Sequence, residues 1–122
     1  MRTIVRDTFD DLVYNNDKFV IVNFYAPWCN FCKLLDPIWK QLGKGLNYME
    51  HLRIGKVDAT ENEISDLPVK SYPTIYLFKP GDKKNPLIYS GKREVDEFIV
   101  FLKKEMGDQW EEVPEDLTIE DL

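Results

Sequence analysis

Residues 20–35 read VIVNFYAPWCNFCKLL, and the rest of the chain is best interpreted outward from this stretch. A nearly continuous apolar run of strand length ends at Pro27 and Trp28, and two cysteines spaced Cys-x-x-Cys follow among helix-favouring residues. This order predicts a buried parallel strand that delivers both thiols to the start of a helix. The free N–H groups and the positive dipole end of a helix favour the thiolate of Cys29 over its thiol, and the thiolate is the nucleophile.

Hydrophobic periodicity and chain-breaking residues predict the other elements. Strands are predicted at residues 3–5, 19–25, 52–58, 74–78 and 87–89, and helices at residues 7–13, from the cysteines to about Gly45, at 62–67 and at 95–106. Parallel βαβ units followed by an antiparallel hairpin and a closing helix give the order βαβαβαββα. The sequence therefore predicts an α/β domain with a mixed central sheet and helices on both faces.

Length and charge predict one domain and a tail. A chain of 122 residues is too short for two ordinary domains, so residues 1–107 are assigned to one domain. Residues 108–122 hold seven acidic residues and no Lys or Arg, which predicts a disordered tail, and the remainder is near neutral. A near-neutral body argues against nucleic-acid binding. The chain has neither a membrane-length apolar run nor an N-terminal signal segment, so a monomeric domain without membrane association is expected.

The two cysteines have alternative uses that the composition makes less favourable. A closed structural zinc site takes four ligands, so with two cysteines and one histidine, His51, it would have to recruit a carboxylate or a second chain. A structural disulfide across so short a loop would restrict the unfolded chain little. Thiol–disulfide exchange is preferred: Cys29, at the exposed start of the helix, attacks a client disulfide, and Cys32 then attacks Cys29 and releases the client reduced. We expect no metal and no cofactor other than the redox-active Cys29–Cys32 disulfide.

The segment APWCNFCK at residues 26–33 resembles the active site of the thioredoxin superfamily, and in particular the catalytic domains of protein disulfide isomerases. The resemblance covers roughly residues 3–106 and implies the thioredoxin fold. It also implies oxidoreductase or isomerase activity on unfolded or cysteine-containing client proteins, with glutathione or a dedicated oxidoreductase as redox partner. The implied location is the endoplasmic reticulum lumen, where disulfides persist. The ending IEDL at residues 119–122 resembles a retention signal; the competing interpretation is a linker cut from a multidomain isomerase.

The same resemblance implies roles for residues distant in sequence from the cysteines. Pro73 matches the proline of the loop that faces the cysteines, which is cis in the family, and the backbone of Tyr72 would pair with the client. Arg93 matches a mobile arginine that lowers the pKa of the second cysteine. Trp28, Phe31 and Tyr72 are expected to surround Cys29 as an apolar rim that favours unfolded clients.

Three residues depart from the family pattern or are affected by the departures. The isomerases carry Gly-His where this chain has Asn30 and Phe31, and a buried glutamate where it has Asn23. Phe31 supplies no cation for the thiolate, and Asn23 cannot take a proton from Cys32. Lys56, which pairs with that glutamate in the family, is expected to bond Asn23 or turn to solvent. We therefore expect a bias toward reduction or slow client release, with a redox-tuned client-binding module of little turnover as the alternative function.

Overall fold

The computed structural model describes residues 1–64 and 66–112. Its helices and strands, in chain order, are β1 (Arg2–Thr3), α1 (Arg6–Phe9, continued by a π-helical turn at Asp10–Tyr14), β2 (Phe19–Tyr25), α2 (Asn30–Gly45), β3 (Leu52–Asp58), β4 (Thr74–Phe78), β5 (Leu87–Ile88) and α3 (Val95–Met106). Apart from the stretch 62–67, each begins and ends within two residues of its predicted position. In the part of the chain so described, no helix is long and apolar enough to cross a membrane.

The five strands form one mixed sheet in the order β1-β3-β2-β4-β5. Strands β1, β3 and β2 run parallel, whereas β4 runs antiparallel to β2 and β5 antiparallel to β4. The predicted combination of parallel strands and a terminal hairpin is thus confirmed. Because β2 is the central strand, the loop that leaves it at Tyr25 starts from the most constrained part of the sheet, and this loop carries the first cysteine.

Helices cover both faces of the sheet, as predicted, because the apolar run of β2 alternates between two cores. Phe19 and Ile21 pack with residues of α2 and α3, whereas Val20, Val22 and Phe24 pack with those of the α1 segment. A strand buried on both faces needs this continuous apolar sequence.

A buried tryptophan fixes α2 on the sheet. Trp39 is fully buried, and its indole Nε1 donates a 2.9 Å hydrogen bond to the carbonyl of Gly55 in β3. The helix that carries the cysteines is therefore held at a defined height above the strands, because a buried indole N–H needs its one acceptor.

The helix predicted at residues 62–67 is wrong: residues 62–64 have no regular secondary structure, Asp66 lies in a turn and Leu67 in a bend. The Asn62 side chain donates to the carbonyl of Asp58, and the N–H of Leu67 donates to the carbonyl of Ile64. Leu67 also precedes Pro68, and the residue before a proline is disfavoured in helical geometry. The observed order of elements is therefore βαβαβββα.

The start of the acidic tail differs from the prediction of a disordered segment. Residues 108–112 lie against the domain, where the hydroxyl of Tyr48 donates to the carbonyl of Glu111 at 3.1 Å. Trp110 packs against the core formed by α2 and α3, and burial of an indole outweighs the solubility of its charged neighbours. Residues 113–122, with the predicted retention signal, lie outside the described residues.

Candidate redox-active site

Cys29 caps the start of α2 with its sulfur. Its backbone is extended, with φ −81° and ψ 120°, and its N–H donates to the carbonyl of Ala26 at 3.1 Å. The sulfur accepts a 3.2 Å hydrogen bond from the backbone N–H of Cys32, which is one of the helix-start donors without an intrahelical partner. The sulfur of Cys29 is therefore the N-cap of α2, the position at the helix start that the sequence predicted.

The loop before β4 brings a second group of predicted residues to the cysteines. The peptide bond between Tyr72 and Pro73 is cis, as the family resemblance implied. The carbonyl oxygen of Tyr72 lies 3.7 Å from the Cys29 sulfur and accepts from its thiol. The ring of Trp28 meets the ring of Tyr72 edge-on, with centroids 5.7 Å apart. Residues more than forty positions apart in sequence therefore form one site.

Both sulfurs are buried, which corrects the expectation that Cys29 is exposed. Cys29 is 7% exposed and Cys32 is 4% exposed, and the two pack together with Ala26 and partly buried Tyr72. The difference arises because the Tyr72 loop lies over the helix start, a long-range packing contact that the Cys-x-x-Cys motif does not contain. The helix start beside Tyr72 is therefore more enclosed than the motif alone predicts.

Exposed apolar side chains lie near Cys29 along the chain. Trp28 is 67% exposed and Phe31 is 65% exposed, so Phe31 lies outside the core as predicted. Leu34, which the sequence reasoning missed, is 69% exposed. Its signal was its position three residues after Phe31, because residues i and i+3 of a helix are neighbours on its surface. Isolated exposed apolar residues are ordinary, but a contiguous group beside a reactive thiol indicates a binding surface.

The Cys32 thiol is hard to ionise in its surroundings. Burial, together with the hydrogen bond to the Cys29 side chain, raises the pKa of Cys32 to about 11. A backbone hydrogen bond at Ala26 and the positive charge of Arg93 act in the opposite direction without offsetting the burial. Arg93 therefore acts in the direction that the resemblance implied. A buried thiol with so high a pKa needs help to lose its proton at neutral pH.

Lys56 makes neither of the two contacts expected from the sequence. Its ammonium lies 3.5 Å from a carboxylate oxygen of Asp36 in α2 and 5.5 Å from the centre of the Tyr25 ring. Asn23, its neighbour across β2 and β3, is 3% exposed, and its side-chain oxygen has no hydrogen-bond partner among the described residues. Asp36 therefore takes up the lysine that was expected to face Asn23 or solvent.

Asp36 is the residue of this site that sequence reasoning missed. Its other carboxylate oxygen lies 2.9 Å from the ammonium of Lys40. The hydrogen bond from Lys40, followed by the charge of Lys56, lowers the pKa of Asp36 despite partial burial. The available signal was its spacing: Cys32, Asp36 and Lys40 follow each other at four-residue intervals and so share one face of α2.

These groups line one cleft beneath the second cysteine. The cleft has a volume of about 360 Å³, and its lining includes Asn23, Cys32, Lys33, Asp36 and Lys56. Its walls combine a thiol, an unpaired amide oxygen and an ion pair. Both cysteines are free thiols, and within residues 1–64 and 66–112 no three His, Cys, Asp or Glu side chains are grouped to hold a metal ion.

The different surroundings of the two thiols predict unequal alkylation. In the reduced protein, iodoacetamide is expected to label Cys29 much faster than Cys32, because with a pKa of about 11 only about 10⁻³ of Cys32 is thiolate at pH 8. Labelling of Cys32 should rise about tenfold per pH unit up to about pH 11. Mass spectrometry of the two cysteine peptides over time measures both rates. Equal rates at pH 8 would contradict the assignment of Cys29 as nucleophile.

Comparison with known proteins places the fold and site in a family. The family model described as Thioredoxin matches residues 1–104. Protein disulfide-isomerase A3 of Gallus gallus is 43% identical over 106 residues, which cover 86% of this chain and 21% of that protein. A putative protein disulfide-isomerase of Schizosaccharomyces pombe is 42% identical over 101 residues, covering 83% and 20%. The chain thus spans about a fifth of the curated relatives it matches.

A solved structure supports the same placement. The solution structure of the first thioredoxin domain of mouse protein disulfide-isomerase A4 superposes with a TM-score of 0.74 at 28% identity. The match covers 95% of this chain and 81% of that domain.

Proposed function

The chain belongs to the thioredoxin family, and from this premise we propose that it is a thiol–disulfide oxidoreductase and isomerase acting on cysteines of client proteins. One observation carries the proposal: the Cys29 sulfur caps the start of α2 and accepts the N–H of Cys32 at 3.2 Å, with the second thiol one turn into the helix. A nucleophile and a resolving thiol are thereby held on one rigid element, which makes the second step intramolecular.

The proposed reaction has two exchange steps. The Cys29 thiolate attacks one sulfur of a client disulfide, so that a Cys29–client bond forms and the other client sulfur leaves as a thiolate. Cys32 then loses its proton and attacks the Cys29 sulfur, which forms the Cys29–Cys32 disulfide and releases the client sulfur as a second thiolate. Two electrons pass from the dithiol to the client. After reduction of a client, a thiol reductant such as glutathione or a dedicated oxidoreductase returns the protein to the dithiol. The reverse sequence oxidises a client dithiol and itself leaves the protein as the dithiol.

Turnover is favoured over the alternative of a client-binding module. The curated relatives carry the name disulfide-isomerase, and the geometry of the two thiols provides for release as well as capture. The redox-active disulfide is the only cofactor that this chemistry requires. The high pKa of Cys32 supports the proposed bias toward slow client release, because removal of the Cys32 proton then limits resolution of the mixed disulfide.

We place this activity in the lumen of the endoplasmic reticulum. The resemblance to isomerases supports that compartment. The lumen is oxidising, so client disulfides form and persist there. The proposed clients are unfolded or cysteine-containing proteins, because the surface around Cys29 is apolar and open enough to accept side chains of an extended segment.

The apolar surface formed by Trp28, Phe31 and Leu34 leads to a prediction for client capture. Replacement of Phe31 by serine is expected to raise KM for a peptide disulfide by ~5- to 30-fold with little change in kcat, because about 1–2 kcal/mol of apolar contact is lost. Stability should change by no more than about 0.5 kcal/mol, since Phe31 is exposed. Steady-state peptide reduction and thermal unfolding measure the two effects.

Val100→Ser is the control for this experiment, because Val100 is similarly exposed on α3, away from the residues that line the cysteine site. It should leave KM unchanged. A large fall in the melting temperature of Phe31→Ser would mean that Phe31 supports the core, and an unchanged KM would mean that this surface does not bind clients.

A further inference from the structure

Resolution of the mixed disulfide requires a proton acceptor that the strand beneath the cysteines does not supply. Cys32 must lose its proton before it attacks Cys29, yet burial holds its pKa near 11. Two residues of β2, Asn23 and Tyr25, line the cleft below it: an amide is not a base, and burial raises the pKa of the Tyr25 phenol, which therefore stays neutral and is not a base either. The acceptor must therefore come from another element that reaches the same cleft.

Asp36 reaches that cleft from the helix that carries both cysteines. It follows Cys32 by four residues, so the two side chains lie on the same face of α2, with Cβ atoms about 5–6 Å apart. Both line the 360 Å³ cleft. Cβ atoms this far apart leave room for one water molecule between the thiol and the carboxylate.

The buried amide oxygen of Asn23 marks where such a water would bind. This oxygen has no hydrogen-bond partner among the described residues, although Asn23 is nine-tenths buried and lines the cleft. A buried acceptor left unpaired is costly, so a donor from the cleft is expected to satisfy it. The cleft has room for water and has polar groups on its walls, and water commonly bridges polar groups placed in this way.

The charges around Asp36 keep it ionised. Lys40 and Lys56 hold the pKa of Asp36 below its usual value, so the carboxylate is ionised throughout the neutral range. Asp36 is also partly exposed, so a proton received there passes on to bulk solvent. Of the other charged groups, Lys33 lines the same cleft, whereas Arg93 acts on Cys32 as a cation only.

From this placement we infer that Asp36 accepts the Cys32 proton through a water bound at Asn23, replacing on α2 the carboxylate that β2 lacks. The inference rests on the proposed function. In the step, the S–H bond of Cys32 breaks and its proton moves through the water to Asp36 and then to solvent. The electron pair left on Cys32 forms the bond to the Cys29 sulfur, and the Cys29–client bond breaks with its pair on the client thiolate. Asp36 receives the proton through this water and touches neither the client nor a sulfur atom.

The pH profile of the resolving step tests this role. Reduced protein is mixed with a saturating, fluorescently labelled peptide disulfide and acid-quenched, and the decay of the Cys29–peptide species is followed by mass spectrometry between pH 6 and pH 8. With Asp36 ionised throughout, the resolution rate should be nearly independent of pH. In Asp36→Asn it should be ~10²-fold slower at pH 7 and rise about tenfold per pH unit, since only free Cys32 thiolate then reacts.

Lys40→Gln is the matched control, because it removes the shorter ion pair of Asp36 and keeps the carboxylate. It should retain the flat profile. A tenfold slope per pH unit in the unmodified protein, or a flat profile in Asp36→Asn, overturns the relay while leaving the proposed function intact. Failure of the protein to form any Cys29–peptide species overturns the proposed function and the relay together. A merely structural role of Asp36 would alter the rate and not the slope.

Discussion

Replacement of Cys32 by serine is expected to leave the protein covalently attached to its clients. Cys29 still attacks the client disulfide, but a serine hydroxyl at the first turn of α2 cannot form a disulfide with the Cys29 sulfur. Release then depends on a thiol from solution, whereas well-oriented intramolecular attack gains effective concentrations of ~10⁵ M or more. Resolution should slow by at least ~10³-fold at millimolar external thiol. Non-reducing electrophoresis and intact mass of the trapped species measure the accumulation.

Cys29→Ser is the counterpart of this variant and is expected to trap no client. Cys32 is 4% exposed and its pKa is about 11, so it is a poor nucleophile toward an external disulfide. Trapping by Cys29→Ser instead of Cys32→Ser would reverse the assigned roles. Both substitutions exchange sulfur for oxygen at nearly the same volume, so circular dichroism should show that each variant keeps the fold.

The second large effect is expected from a carboxylate introduced on β2. Asn23→Glu, placed in the Asp36→Asn background, should restore fast resolution and a flat pH profile between pH 6 and pH 8, a gain of ~10²-fold at pH 7. The new carboxylate would line the same cleft as Cys32 and lie beside Lys56, its partner across the parallel strands. Lys56 has lost its ion pair with Asp36 in this background, so the new carboxylate would give it another anion nearby. The acid-quench assay of the resolving step measures the restored rate.

Asn23→Gln in the Asp36→Asn background distinguishes the effect of a base near Cys32 from the effect of a longer side chain. Glutamine has the length of glutamate without a proton-accepting carboxylate, so it should leave resolution slow and pH-dependent. In the unmodified background Asn23→Glu should speed client release less, because Asp36 already accepts the proton there. Restored rates with glutamine would show that packing near Cys32, rather than an acceptor, limits the step.

Much of the fold was predictable because its signals are local in the chain. The apolar run of β2, the break at Pro27 and the cysteine spacing together predict a strand, a helix start and two thiols of unequal reactivity. Periodicity likewise located α3 and the terminal hairpin. The helix at 62–67 was wrong because composition favoured a helical turn, whereas Pro68 and side-chain bonds to Asp58 favour a non-helical chain.

The sequence by itself determined which chemistry this protein can carry, since two cysteines at a helix start define a redox pair wherever that helix lies. Only the tertiary structure decided which groups surround the two thiols. The burial of Cys29 depends on the Tyr72 loop, and the partner of Lys56 depends on which carboxylate lies within about 4 Å once β3 and α2 have packed. Such contacts join residues with no fixed sequence separation, so periodicity and spacing cannot predict them. The contact between Asp36 and Lys56 was identified only when the position of α2 above β3 was known.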